Sequence, residues 1–280
     1  MVDGEHSDLT AAVIERLSGA TDPRLREIMT ALVRHLHGFA RDVKLTQDEW
    51  ARAIAFLTET GQTCDAKRQE FILLSDTLGL SMLVDALNNR REGHETPSTV
   101  LGPFHVAGAP DLAMGTDIAA ATEGGVKTLV SGRVIDREGK PVADAQLDVW
   151  QTAPNGLYDV QDPAAPEFNL RGRFRTGADG AYHFLTVKPV SYPVPTDGPV
   201  GRMLLALGRH PYRPAHLHFI VSAPGFETLT THIFVRGDEY LDSDAVFGVK
   251  QALIVDFAPA KDASGAPIEA RCDFVMRRAG

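Results

Sequence analysis

The stretch TLVSGRVIDREGKPVADAQLDVWQT, residues 128–152, decides the fold. Its ends, TLVSGRVID and DAQLDVWQT, are alternating β-rich runs, and the REGK between them is turn chemistry. The same pattern continues with GRFRT before ADG, then AYHFLTV, HLHFIVS before PG, THIFV before RGD, LIVDF and finally CDFVM. Short runs at this spacing, joined by D-G and P-G turns, predict an antiparallel sandwich or barrel over residues 127–280.

Upstream the period changes. Asp22-Pro23 offers a helix N-cap and a first-turn proline, and Leu25, Ile28, Leu32 and Leu36 follow at helical spacing. Thr46 and Glu49 form a capping-box pattern ahead of Trp50, Ile54 and Leu57. A further helix is expected from about Lys67 to Asn89, carrying Phe71, Leu74, Leu78, Met82 and Leu83. Residues 1–92 therefore read as a small helical region. Pro97, Gly102, Pro103, Gly108 and Pro110 then break any helix, and residues 93–126 read as a linker.

Composition excludes several classes. The chain has 280 residues, 44% hydrophobic and 23% charged, an ordinary globular balance. A net charge of −9 argues against a nucleic-acid partner, since phosphate contacts need clustered Lys and Arg. No apolar run approaches the ~18 residues of a membrane span, and no secretory signal opens the chain. Two cysteines, Cys64 and Cys272, are too few for a disulfide framework, so a reducing cytoplasm is expected.

His-Leu-His occurs twice, at residues 35–37 and 216–218. In a helix, residues two apart point about 200° from each other, so His35 and His37 are not placed to share a metal and read as solvated. In a strand, residues two apart share a face, so His216 and His218 make half of a metal site. Spacing alone leaves a surface or hydrogen-bonded pair just as open. The cysteines are not paired, which disfavours a zinc site built on thiolates. No Asp or Glu lies between Gly198 and Phe226. Tyrosine is the remaining ligand type, but composition cannot choose Tyr158 and Tyr192 over Tyr182, Tyr212 or Tyr240. Two phenolates with two imidazoles would favour a hard trivalent ion over zinc.

LGPFHVAGAP, PVADAQLDVWQTAPNGLYDVQ and above all GRHPYRPAHLHFIVSAPGFETLTTHIF resemble the intradiol ring-cleaving dioxygenases over nearly the whole chain. SDTLGLSMLVDALN, SYPVPTDGPVG and GDEYLDSDAVFGVK resemble the members that act on hydroxyquinol, 1,2,4-trihydroxybenzene. The resemblance implies a β-sandwich catalytic domain and a helical N-terminal dimerisation region. It implies a homodimer whose helical parts meet and can hold phospholipid, one Fe(III) per subunit, and a catechol-type substrate with O2. The family's ligands fall on Tyr158, Tyr192, His216 and His218, with Tyr158 retained and Tyr192 released on substrate binding.

By the same resemblance, Arg213 stabilises negative charge on the ring under attack. His232 stands where many relatives carry a glutamine that hydrogen-bonds near the retained phenolate, and is read as an outer-shell donor. Tyr192, Arg213 and His232 are thus the catalytic candidates. The pocket candidates are Leu73, Asp76, Val100, Gly102, Pro103 and Phe104, with Pro193, Val194, Pro195 and Val246. Asp76 is read as the partner of the third substrate hydroxyl, against a plain backbone cap near Gly79. The expected reaction turns hydroxyquinol into 3-hydroxymuconate, the enol of maleylacetate. Catechol or chlorocatechol cleavage is the alternative, and a non-catalytic sandwich module or a zinc hydrolase the remote ones.

Overall fold

The computed structural model describes residues 3–65, 68–90, 93–261 and 265–280. The chain forms two compact units, Met1–Glu59 and Thr60–Gly280. The first holds α1 (Asp3–Arg16), α2 (Pro23–Asp42) and most of α3 (Gln47–Thr63). Asp22 caps α2 by accepting the Arg24 N–H at 2.8 Å. Before α3 the box closes reciprocally: Glu49 accepts the Thr46 N–H at 2.9 Å, and Thr46 accepts the Glu49 N–H at 3.3 Å. Leu25, Ile28, Leu32 and Leu36 are exposed along α2. His35 is exposed too, while His37 faces the Thr10 hydroxyl at 2.9 Å, so these two rings diverge as the helical period requires.

The second unit opens with α4 (Glu70–Thr77) and α5 (Leu80–Asn88), where one helix was expected. The break is at Gly79, whose φ of +74° is open to glycine and strained for other residues. The expected helix start at Lys67 and the expected boundary at Glu92 lie outside the described residues. Glu70 is buried and accepts the Val200 N–H, which satisfies a donor at the start of α6 (Pro199–Ala206), a helix the sequence reading did not find.

Two five-stranded sheets follow. One is built from β1 (Lys127–Asp136), β4 (Ala181–Val187), β10 (Phe257–Pro259), β11 (Ile268–Arg271) and β12 (Phe274–Met276). The other runs β3 (Arg171–Arg175), β2 (Gln146–Trp150), β7 (His216–Ser222), β8 (Leu229–Val235), β9 (Ile254–Val255). A short ribbon pairs β5 (Tyr192–Pro193) with β6 (Tyr212–Arg213).

The sheets are mixed, which corrects the expectation of a purely antiparallel sandwich. β1 runs parallel to both β11 and β12, and β8 runs parallel to β9. β11 and β12 are consecutive pieces of chain interrupted at Cys272, whose carbonyl presses on Gly132; a Cβ at Gly132 would sit 1.7 Å from that oxygen. Neither period nor composition signals such a local approach.

The core lies between the sheets. Val130, Phe184 and Phe274 of the first meet Leu147, Phe174, Leu217, Phe219 and Val221 of the second. Phe174 stacks on Phe184 with centroids 5.0 Å apart, and Phe219 lies 4.9 Å from Phe274. Leu217, Phe219 and Val221 thus use one face of β7 for the core, and the other face is left for His216 and His218. Both histidines are nevertheless buried, so that outer face is covered.

The cover includes the segment read as a linker. Residues 93–126 are pinned to both sheets, through Leu112 N–H to Arg173 O, Thr99 N–H to Thr230 O, and Ile118 N–H to Leu185 O. Ile118 and Ala119 join the core. Among the described residues no helix is long and apolar enough to cross a membrane.

Candidate metal centre

Strand register sets the site. Across the second sheet Trp150 of β2, His218 of β7 and His232 of β8 lie side by side. Trp150 stacks on His218 with centroids 4.5 Å apart and planes 12° from parallel, which fixes the plane of the His218 ring. His216 donates from Nδ1 to the Pro214 carbonyl at 2.7 Å, leaving its Nε2 facing the cover.

The tyrosines arrive from that cover. Tyr158 follows the turn Pro154-Asn155-Gly156, closed by the Ala153 N–H to Leu157 O bond and by Gly156 at φ +80°. Phe104 stacks on its ring at 4.7 Å, and Arg171, paired with Asp159, lies over it at 5.8 Å. Tyr192 is presented by the β5–β6 ribbon, directly opposite Arg213.

The donor atoms converge. Tyr158 Oη lies 3.1 Å from Tyr192 Oη and 2.9 Å from His218 Nε2, and His218 Nε2 lies 3.1 Å from His216 Nε2. Two phenol oxygens and two imidazole nitrogens spaced at 2.9–3.1 Å match the edges of a coordination shell with bonds of about 2 Å. The donor set fits a hard trivalent cation such as Fe(III). Burial, before neighbouring charge, lowers the pKa of both histidines well below the ordinary imidazole value, so they are neutral and ligand-ready. Burial, reinforced by Tyr192, raises the Tyr158 phenol well above its usual value, so binding a cation there must expel a proton.

His232 also lies in the cluster, where His216, His218 and His232 offer ligand atoms within 4.8 Å of one another. Its own nitrogens are engaged elsewhere: Nε2 faces His218 Nδ1 at 2.6 Å and Nδ1 faces the Thr99 hydroxyl at 2.7 Å. Its ring lies 4.2 Å from that of His218, centroid to centroid. His232 thus meets the His218 imidazole from outside the set of phenol and imidazole donors.

Arg213 is buried against the site. Its Nε and Nη2 reach the two oxygens of Asp244 at 3.1 and 3.3 Å, and Nη1 lies 3.2 Å from His216 Nε2. Burial disfavours its charge, but Asp244 outweighs that and holds the guanidinium protonated. Asp244 also accepts the Val246 and Gly248 N–H groups. A Cβ at Gly248 would lie 2.9 Å from Arg213 Nη2, so the glycine leaves room for the clamp.

Pocket candidates fall into two groups. Gly102 and Phe104 lie against the donors, packing on His218 and Tyr158 respectively. A Cβ on Gly102, itself at φ +76°, would come within 3.3 Å of His218 Cε1. Phe104, Pro193, Val194 and Pro195 share a cleft of about 410 Å³ with Leu157 and Val160. Leu73 and Asp76 come from α4, with Val100 half-buried and Val246 buried beside Asp244. Arg209 ties the end of α4 to the Asp244 loop, donating to Thr77 O at 2.6 Å and Ala245 O at 2.8 Å. The Asp76 side chain is buried, near Ser81 and Arg213. Burial raises its pKa, against the pull of Ser81 and Arg213.

The family model described as "Dioxygenase" matches residues 100–278, and "Catechol dioxygenase N terminus" matches residues 22–96. The chain belongs to the intradiol ring-cleavage dioxygenases. It is 55% identical to the hydroxyquinol 1,2-dioxygenase of Rhizobium sp. (strain MTP-10005), over 91% of this chain and 86% of that one. It is 53% identical to the 6-chlorohydroxyquinol 1,2-dioxygenase of Cupriavidus pinatubonensis, covering 94% and 95%. The solved hydroxyquinol 1,2-dioxygenase of Pseudomonas putida DLL-E4 superposes with a TM-score of 0.91 at 51% identity, over 98% and 99% of the chains.

Three residues of this intradiol dioxygenase escaped the sequence reading. Trp150 was visible only as a strand residue. Asp244 lay inside a stretch quoted for its resemblance but had no partner in sequence. Thr99, read as part of a linker, gave no signal at all.

Proposed function

We propose that this chain cleaves hydroxyquinol between its two adjacent hydroxyl-bearing carbons, taking up both atoms of O2. The product is 3-hydroxymuconate, the enol of maleylacetate. The observation that carries the reading is the closed set of four donors, Tyr158, Tyr192, His216 and His218, set in a chain of this family. These four would hold one iron per subunit.

Ferric iron, held by these four residues, would supply Lewis acidity that draws electron density from a catechol-type ring. The remaining work falls to the protein. Tyr192 Oη would take one substrate proton, serving as a base already set within the donor cluster. Tyr158, pinned by Phe104 and Arg171, stays. Arg213 Nη1, freed from His216 when that nitrogen is occupied, faces negative charge that develops on the ring. Trp150, Phe104 and Val194 exclude water and strengthen each of these charges. Asp76 receives the third hydroxyl in a charge-assisted hydrogen bond, which distinguishes hydroxyquinol from catechol.

Catechol and chlorocatechol are the second reading, because the N-terminal family model carries catechol in its description. Cytoplasmic location and a homodimer joined through the exposed stripe of α2, with phospholipid at the contact, complete the proposal. The test is oxygen uptake with product analysis. Iron-loaded protein should consume one O2 per hydroxyquinol and yield maleylacetate, with catechol a poorer substrate. Faster turnover of catechol would move the assignment to the second reading.

A further inference from the structure

The two histidines on β7 are held by different kinds of partner. His216 Nδ1 lies 2.7 Å from the Pro214 carbonyl. A carbonyl can only accept, so His216 carries its proton on Nδ1 and its Nε2 lone pair always faces the site. His218 Nδ1 instead meets His232 Nε2 at 2.6 Å, and His232 Nδ1 meets Thr99 Oγ1 at 2.7 Å. An imidazole and a hydroxyl can each donate or accept. Thr99, His218 and His232 are all buried, so water does not stand in for a missing partner.

This chain of three has two self-consistent directions. In one, His218 donates from Nδ1 to His232, His232 donates from Nδ1 to Thr99, and the His218 Nε2 lone pair faces Tyr158 and His216. In the other, Thr99 donates to His232, His232 donates to His218, and the His218 Nε2 proton points at Tyr158 Oη, 2.9 Å away, since Arg213 Nη1 already faces the His216 Nε2 lone pair at 3.2 Å. Both hold the same number of protons and the same heavy-atom positions. The second gives the His218 Nε2 proton an acceptor in Tyr158 Oη; the first presents a second nitrogen lone pair to a cation.

We propose that Thr99 is a positioning residue of the metal centre, acting through His232 to hold the His218 ring with Nε2 toward the metal, in a chain that can run in either direction. The inference rests on the reading of His218 as a ligand. Thr99 is itself placed by the segment 93–126: its N–H donates to Thr230 O at 2.9 Å, beside Thr231, which donates to Pro97 O at 2.7 Å. That segment therefore sets an outer partner of the centre as well as covering it. A side chain that orients a ligating histidine from outside is worth about 10- to 100-fold in metal affinity, and Thr99, one step further out, belongs at the lower end.

The test measures iron loss from holoenzyme to a strong chelator. Thr99→Val should release iron about 10-fold faster than the native protein. Thr99→Ser, which keeps the hydroxyl, should release it at close to the native rate. Equal rates for native and Thr99→Val would overturn the positioning role. His218→Ala distinguishes the underlying reading: full iron retention there would overturn the ligand assignment itself. A second measurement needs no variant. In histidine-15N protein loaded with gallium(III), a diamagnetic ion of the same charge, His218 and His232 should both carry their protons on Nδ1. A His232 proton on Nε2 in the loaded protein would contradict the proposed direction.

Discussion

Arg213 carries a positive charge into a nearly dry environment, and Asp244 sets where that charge points. The pair is bidentate and both side chains are almost fully buried. Removing one partner leaves an uncompensated buried charge, which costs about 3–5 kcal/mol. Asp244→Asn should therefore lower stability by that order in a denaturant titration, and the double variant Arg213→Gln/Asp244→Asn should recover most of it. A single-variant loss that the double variant does not recover would mean that the main-chain bonds to Val246 and Gly248 matter more than the ion pair. Asp76 offers a second test. Asp76→Ala should reduce kcat/KM for hydroxyquinol by about 1–3 kcal/mol while catechol turnover holds or rises. Equal losses on both substrates would assign Asp76 to the fold.

At the scale of elements, the alternation along β7 explains why one His-Leu-His differs from the other. His216→Ala and His218→Ala should each abolish iron binding and activity, measured by metal analysis and oxygen uptake, whereas His35→Ala and His37→Ala should leave both at native levels. The strand period and the helix period were readable directly from the residues, as were the caps at Asp22 and Thr46. The single helix expected across Gly79 was not a failure of period, since the apolar spacing continues through the break. Gly79, at positive φ, breaks the helix without breaking that spacing. The mixed sheet had no local signature either, because β11 and β12 are short and their direction is set by where the chain returns, not by their composition. Tyr158 and Tyr192 were chosen by resemblance alone; the ribbon that sets Tyr192 opposite Arg213 spans two residues on each side.

Over the whole molecule, the segment 93–126 and the C-terminus are bound together by Glu95. Its buried carboxylate takes Arg137 from the turn after β1 and Arg277 from the chain end. Burial alone would raise its pKa, but the hydrogen bonds from Arg277 and Arg137 outweigh that and hold it down to about 2, from 4.5. The depressed value means that this contribution is full above pH 4.5 and is lost as pH falls toward 2. It is worth at most about 3 kcal/mol. Glu95→Gln should remove that part of the acid dependence, so native and variant stabilities should converge near pH 2. Parallel curves from pH 7 to pH 2 would show that the clasp contributes no pH-linked stability.

The central claim is that two phenolates and two imidazoles hold ferric iron in this chain, and the visible absorption spectrum of the iron-loaded protein tests it most directly. Tyrosinate-to-iron charge transfer should colour the native protein red. Substrate should leave a tyrosinate band that depends on Tyr158, so Tyr158→Phe loses more of it than Tyr192→Phe. A colourless protein at full iron occupancy, or identical substrate-bound spectra for the two variants, would contradict the account.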